Sequence, residues 1–240
     1  MLREKKVRLN RIKQMRPYYA APLNFSVSKA HKAQLRLSKR VIVEDRLPKK
    51  INRVAGVDVA YAGDFAIGAV AVLDYDSLEL LEWQKSTSTV NFPYISTLLS
   101  FREFPPSLAS IKKLRLQPDV LLVDGQGVAH PYGFGFASHL GLALEIPTIG
   151  VAKSRLVGEP RTIAGRIFLV SGDQNIGEVV TTKKGVKPVY VSTGHLISLE
   201  TAVKIVRHCI HNSKIPQPIL IAHKIASEER RTLLTALKVK

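Results

Sequence analysis

The chain of 240 residues has one cysteine, Cys209, and one tryptophan. A lone thiol excludes an internal disulfide and a cysteine-based zinc site. Cys209 stands in VKIVRHCIHN, whose spacing predicts a helix, so a packed thiol is expected. There is no run of 18 apolar residues, and no membrane-spanning helix is expected. The opening, MLREKKVRLNRIKQMRPYYAAPLNF, carries charge but lacks the apolar stretch of a secretory signal. A reducing, cytoplasmic setting is the default expectation. No internal repeat is present. Acids are also scarce: 19 Asp and Glu stand against 36 Lys and Arg, giving a net charge of +17 and a pI of about 10.1. The imbalance is concentrated at the front. Residues 1–53 hold 16 Lys and Arg but 3 Asp and Glu, so they carry 13 of the 17 excess charges. Such a segment suits a polyanionic partner and can contact phosphate without reading sequence. A solubilising basic tail is the plainer alternative.

With acids so few, their positions are informative. The segment LLVDGQGVAHPYGFGFASHLGLALEIPTIGVAK, residues 121–153, runs from a short apolar stretch into Asp124. Gly125 and Gly127 follow, then His130, and a second apolar stretch ends in Lys153. A buried strand that delivers an acid at its end, beside a flexible turn, is a common way to present a metal ligand. A helix-capping Asp in a plain βαβ unit is the alternative. RVAGVDVAY, residues 53–61, reads as a strand with Asp58 inside its apolar run. A charge there is costly unless it is paired or bound to a cation. PYISTLLSFREF, residues 93–104, has helical spacing and leads to Glu103. Three acids far apart in sequence can converge on Mg²⁺, a hard ion that takes oxygen ligands and keeps several waters. For each acid alone, an ion pair with a neighbour such as Arg53 or Arg102 remains open.

The coarse organisation is a basic arm over residues 1–25, broken by Pro17 and Pro22, followed by one domain over residues 26–240. A helix is expected at 26–46, with Ser26 or Ser28 as its cap. Strands follow at 53–61, 65–75 and 78–90, then helices at 95–101 and 106–115. A strand at 119–124, a helix at 134–145 and a strand at 147–152 come next. Strands at 166–172, 176–182 and 188–193 precede helices at 198–212 and 217–237. Early antiparallel strands with later βα units imply an α/β fold, a mixed central sheet with helices on both faces.

The blocks VAGVDVAY, PYISTLLSFRE, LLVDGQGVAHPYGFGFASHLGLALEIPTIGVAKSRLVG, PVYVSTGHLISLETAV and IPQPILIAH carry a resemblance. In content and order they resemble endonuclease V, the deoxyinosine-directed nuclease family with an RNase H-like fold. The blocks run from about residue 50 to about residue 223, and the long central one is the most specific. The resemblance implies that Asp58, Glu103 and Asp124 bind the metal, Mg²⁺ with Mn²⁺ as the alternative. It implies catalytic roles for Lys153 and for His223 as well. Pro93-Tyr94-Ile95-Ser96 matches the family's wedge, which would push Tyr94 into the base stack while the lesion turns out of the helix. Gly125, Gly127 and His130 would meet the flipped hypoxanthine, with Leu99 and Phe136 packed on it; Ile95 belongs to the same substrate-binding set. His195, in STGH, reads as structural.

The implied activity is Mg²⁺-dependent hydrolysis of DNA one nucleotide 3′ of deoxyinosine, by a monomer as the default. Two alternatives stand beside it. The same chemistry can act on inosine in RNA, or on flaps, mismatches and other lesions. The scaffold can also be a non-catalytic nucleic-acid binder. The chain departs from the family where the wedge usually reads PYIPG: here it is PYIST, with Ser96 for a proline and Thr97 for a glycine. Ile219 and Leu220 replace a commoner Thr-Arg. These departures bear on the strictness of inosine recognition and leave the three acids untouched.

Overall fold

The structure is a computed structural model and describes residues 26–90, 92–181, 185–211 and 213–238. The expected basic arm, 1–25, lies outside the described residues. Strands β1 (Arg53–Ala62), β2 (Phe65–Asp74) and β3 (Leu80–Thr89) form an antiparallel meander. β1 pairs in parallel with β4 (Val120–Val123), and β4 in parallel with β5 (Thr148–Ala152). β6 (Glu159–Ile163), β7 (Arg166–Ser171), β8 (Gln174–Val180) and β9 (Val189–His195) are antiparallel neighbours. This half joins the first through β9 on β5, giving the order β3-β2-β1-β4-β5-β9-β8-β7-β6.

The central strands are apolar on both faces because both are covered. On one face, Ala55, Val57, Val70, Val72, Leu121 and Val123 pack under α2 (Leu99–Ile111) and α3 (Phe136–Leu144). On the other, Val54, Ala71, Leu73, Val120 and Leu122 pack under α4 (Leu199–His208) and α5 (Gln217–Lys238). Alternate residues of each strand thus feed alternate cores. Two glycines set how closely the helices dock. A Cβ at Gly56 of β1 would lie 2.1 Å from the Pro218 carbonyl carbon of α5, and one at Gly68 of β2 would lie 2.4 Å from that of Pro106 in α2. At both places helix main chain meets strand main chain directly. Cys209 is fully buried in the α4–α5 core, as expected. Among the described residues, no helix is long and apolar enough to cross a membrane.

Several expectations are corrected. The first helix, α1 (Val27–Ser38), is capped by Ser26, whose hydroxyl accepts from the Lys29 N–H, but it stops well short of residue 46. The β-branched run Val41-Ile42-Val43 instead docks on the end of β9. The Ile42 N–H donates to His195 Nδ1 at 3.2 Å, and its carbonyl accepts from the Leu196 N–H at 2.7 Å. His195 is therefore a buried anchor, as its structural reading implied. Two helices were expected, at 95–101 and 106–115, yet one helix, α2, runs through Pro105 and Pro106 after a single 3₁₀ turn, Ser96–Leu98. Each proline deprives one upstream carbonyl of its donor; packing of Pro106 on Gly68 prevails over that cost. β6 was not expected. It is exposed along its length and shows no apolar alternation, so only its pairing with β7 defines it.

His139 of α3 stacks on Phe104 of α2, with ring centroids 4.1 Å apart and planes 10° from parallel. Burial pushes its imidazole down from 6.5 to about 4. The unfolded ring binds a proton near pH 6.5 and the native ring only near pH 4. The stability that a neutral His139 contributes is present above pH 6.5 and lost as pH falls towards 4. His139→Phe should flatten that decline by up to about 1.4 kcal/mol per pH unit, read from urea denaturation across the window. Gly56→Ala should cost about 1–3 kcal/mol of unfolding free energy in the same assay, because the Pro218 backbone cannot yield to a methyl group.

Candidate active site

β1 continues to Ala62, whereas its parallel pairing with β4 ends at Val57–Val123. Beyond that point the chain supplies carboxylates. Asp58 follows Val57 on β1 and is 7% exposed. Asp124 follows Val123 and is tied back to β1 by its N–H, which donates to the Val57 carbonyl at 3.0 Å. Glu103 comes from the middle of α2, 8% exposed. The three acids sense one another. Burial, followed by the charges of Asp58 and Asp124, raises Glu103 from 4.5 to about 8. Burial and the Asp124 carboxylate likewise hold Asp58 above the usual carboxylate range.

Two basic side chains face this charge. The Lys153 ammonium, at the end of β5, donates to Asp124 Oδ2. Burial opposes its charge, yet Asp124, Asp58 and Glu103 together raise it above the ordinary lysine value. His223, on α5, places Nδ1 2.8 Å from Asp58 Oδ2, while half of its side chain stays exposed. The structure therefore brings Asp58, Glu103, Asp124, Lys153 and His223 into one charged locus. Among the described residues, no three His, Cys, Asp or Glu side chains are grouped tightly enough to ligate a metal as they lie. In kind the donors fit a hard divalent ion: they are carboxylate oxygens, buried, and held together against their own repulsion. The half-exposed Lys153 is free to swing off Asp124.

The second group of residues lies around the segment 93–99. Tyr94 is 70% exposed, the most exposed large hydrophobic side chain among the described residues. Ile95 and Leu99 are half-buried beside it. The ring of Phe136 covers Gly125, with its Cδ1 3.3 Å from where a Cβ would stand. Gly127 is committed to the turn: its N–H donates to Ser192 Oγ at 2.9 Å and its carbonyl accepts from the Gly135 N–H at 2.9 Å. His130 is committed too. The Tyr132 N–H donates to Nδ1, so Nε2 carries the hydrogen and donates to the Thr97 carbonyl at 3.1 Å. Burial pushes this ring down to about 4, which keeps it neutral. Thr97 turns its hydroxyl towards α1, 2.9 Å from His31 Nε2.

Sequence reasoning missed three participants. Tyr61, three residues after Asp58 on β1, donates its hydroxyl to Glu103 Oε1 at 3.3 Å, and the Arg102 guanidinium lies 4.5 Å from its ring centroid. His31 and Gln34 of α1 both hold Thr97. That odd spacing on a strand points the Asp58 and Tyr61 side chains to opposite faces, so the sequence held no signal for the first. Nothing local marks the other two, whose partner lies more than 60 residues away.

The endonuclease V family model matches residues 35–224. Endonuclease V of Thermofilum pendens is 44% identical over 212 residues, covering 88% of this chain and 91% of that protein. The chain belongs to the endonuclease V family. It is a deoxyinosine-specific repair endonuclease of a metal-dependent family, as the resemblance implied. Solved structures agree on the RNase H-like fold. Endonuclease V of Streptomyces avermitilis superposes with a TM-score of 0.79 at 34% identity, covering 89% of this chain and 97% of that one. Ciona intestinalis endonuclease V, solved with a 24mer DNA containing an inosine followed by a ribo-adenosine, gives 0.78 at 29% identity over 86% and 98%.

Replacing Glu103 by Gln removes one of three mutually repelling acids and keeps the Tyr61 contact. Glu103→Gln should raise the metal-free melting temperature by about 2–4 °C, the shift expected from about 1 kcal/mol in a domain of this size. Calorimetry in EDTA measures it.

Proposed function

We propose that the chain cuts one DNA strand at the phosphodiester bond one nucleotide 3′ of deoxyinosine, with Asp58, Glu103 and Asp124 holding Mg²⁺. The convergence of these carboxylates from β1, α2 and the end of β4 is the observation that carries the reading. When bound, the cation supplies charge stabilisation at the phosphoryl oxygens and makes water easier to deprotonate. Lys153, released from Asp124, neutralises the scissile phosphate at the mouth of the locus. His223 is oriented through Nδ1 by Asp58, leaving Nε2, 3.5 Å from Ser227 Oγ, to position the attacking water and take its proton. Glu103 is kept in place by the Tyr61 hydroxyl.

Recognition uses the second group. Tyr94, stiffened by Pro93, enters the base stack and holds the duplex open. The flipped hypoxanthine lies against Gly125, between Leu99 and Phe136. Gly127 and His130, whose polar groups are already engaged, shape the wall and do not read the base edge. Discrimination against adenine falls to the remaining main-chain groups near Gly125, which a mismatched edge would leave unpaired. The Ciona protein's DNA, with a ribonucleotide after the inosine, makes sugar tolerance worth testing beside it.

The test is strand cleavage of matched duplexes carrying deoxyinosine, deoxyinosine followed by one ribonucleotide, or adenine, each with Mg²⁺ and with EDTA. A Mg²⁺-dependent nick one nucleotide 3′ of the lesion, absent from the adenine duplex, is expected. Asp124→Ala should reduce cutting by about 10³-fold or more, the scale lost when charge stabilisation is removed, and should leave binding in EDTA intact. Cutting without regard to inosine, or cutting in EDTA, would overturn the proposal.

A further inference from the structure

Helix α1 has two unlike faces. Between Ser26 and Val43 there are five basic residues and no Asp or Glu: Lys29, Lys32, Arg36, Lys39 and Arg40. At 3.6 residues per turn, Lys29, Lys32 and Arg36 fall within roughly 60° of arc, and Lys39 and Arg40 follow in the turn that ends the helix. All are exposed. None forms an ion pair among the described residues. A one-signed ridge without counter-charges repels itself, and it is relieved by a polyanion.

The opposite face is fastened to the wedge segment. Gln34 is fully buried, and its Nε2 donates to the Thr97 carbonyl at 2.9 Å and to the Phe134 carbonyl at 3.1 Å. His31 pairs through Nε2 with Thr97 Oγ1 at 2.9 Å and through Nδ1 with the Tyr132 hydroxyl at 2.9 Å. Its ring stacks on Tyr132, centroids 4.1 Å apart. Thr97 stands three residues after Tyr94. The ridge is thus one helix diameter, ~10–12 Å, from Thr97, which itself stands three residues after the exposed tyrosine. Residues 27–34 precede the span matched by the family model, so the first two-thirds of this helix is outside it.

We propose that the basic ridge of α1 binds the phosphate backbone of the duplex that Tyr94 enters, as a contact independent of sequence and lesion. The proposal rests on the wedge reading of Tyr94. The brace through Thr97 fixes the ridge and the wedge as one rigid unit, so a duplex seated on one is presented to the other. The threonine at position 97 then has its own use: its hydroxyl closes the brace to His31, a contact that glycine lacks.

The experiment measures binding of undamaged and deoxyinosine duplexes in EDTA across a range of NaCl. It compares wild type, Lys29→Gln/Lys32→Gln, and a control of equal charge loss, Lys50→Gln/Lys204→Gln, whose lysines are already paired with Asp76 and Glu200. The ridge variant should flatten the slope of log K against log salt by about 2, near 0.9 for each lost phosphate contact. It should weaken both duplexes by the same factor, about tenfold or more at moderate salt, while the control stays near wild type. Equal slope changes in the two variants, or none in the ridge variant, would overturn the proposal. Cleavage at saturating enzyme is read in parallel with Mg²⁺. Loss of inosine-directed cutting by wild type would refute the reading of the active site, whereas the salt slopes judge the ridge alone.

Discussion

Like charges at close quarters, out of water, are what the rest of this structure is organised to hold. Asp58, Glu103 and Asp124 would separate if their backbones were free to move, because burial weakens the screening that normally makes such neighbours tolerable. They stay together because each rides on a stiff support. Asp58 lies within β1 and Asp124 directly follows the fully buried β4, and the two strands are linked by the Asp124 N–H to the Val57 carbonyl. Glu103 is carried by a helix whose backbone touches β2 at Gly68. Lys153 then supplies partial compensation from a fourth element, and His223 a hydrogen-bond partner for Asp58 from a fifth. A site loaded in this way favours any ligand that brings positive charge.

Much of this was legible in the sequence because the acids interrupt apolar runs. A carboxylate at the end of VLLV, or inside VAGVDVAY, stands out against its apolar neighbours, even though a helix cap or an ion pair would explain each one alone, and the central strands can be placed from the same runs. The boundaries were harder. Val41–Val43 reads as continuous with the helix before it, and only its pairing with Leu196 and His195 draws it into extended form. Two helices were expected across residues 95–115, yet the packing on Gly68 carries one helix through Pro105 and Pro106. β6 is exposed along its whole length and owes its existence to β7. Long-range polar contacts were the least legible. Gln34 and His31 sit on an ordinary amphipathic helix, and nothing nearby indicates that Thr97 is their common partner.

The contact between α1 and Thr97 changes the meaning of the departure from PYIPG. A glycine-to-threonine change beside a base pocket suggests obstruction. Here the hydroxyl is turned to His31, and the carbonyl of the same residue accepts from both Gln34 and His130. One residue therefore ties the leading helix, the wedge segment and the histidine turn together. His130 is fixed as a neutral, fully engaged ring, so the boundary between pocket and helix is a set of satisfied hydrogen bonds with little room to adjust.

Gly56 and Gly68 have a consequence beyond stability. Where helix and strand touch through main chain alone, the spacing between them does not depend on which side chains fill the cores on either side. Val, Ile and Leu can be exchanged over generations without moving the elements that bear Glu103 and His223. The reacting groups are thereby insulated from drift in the hydrophobic interior, and distant relatives can keep the same arrangement while sharing only a third of their residues.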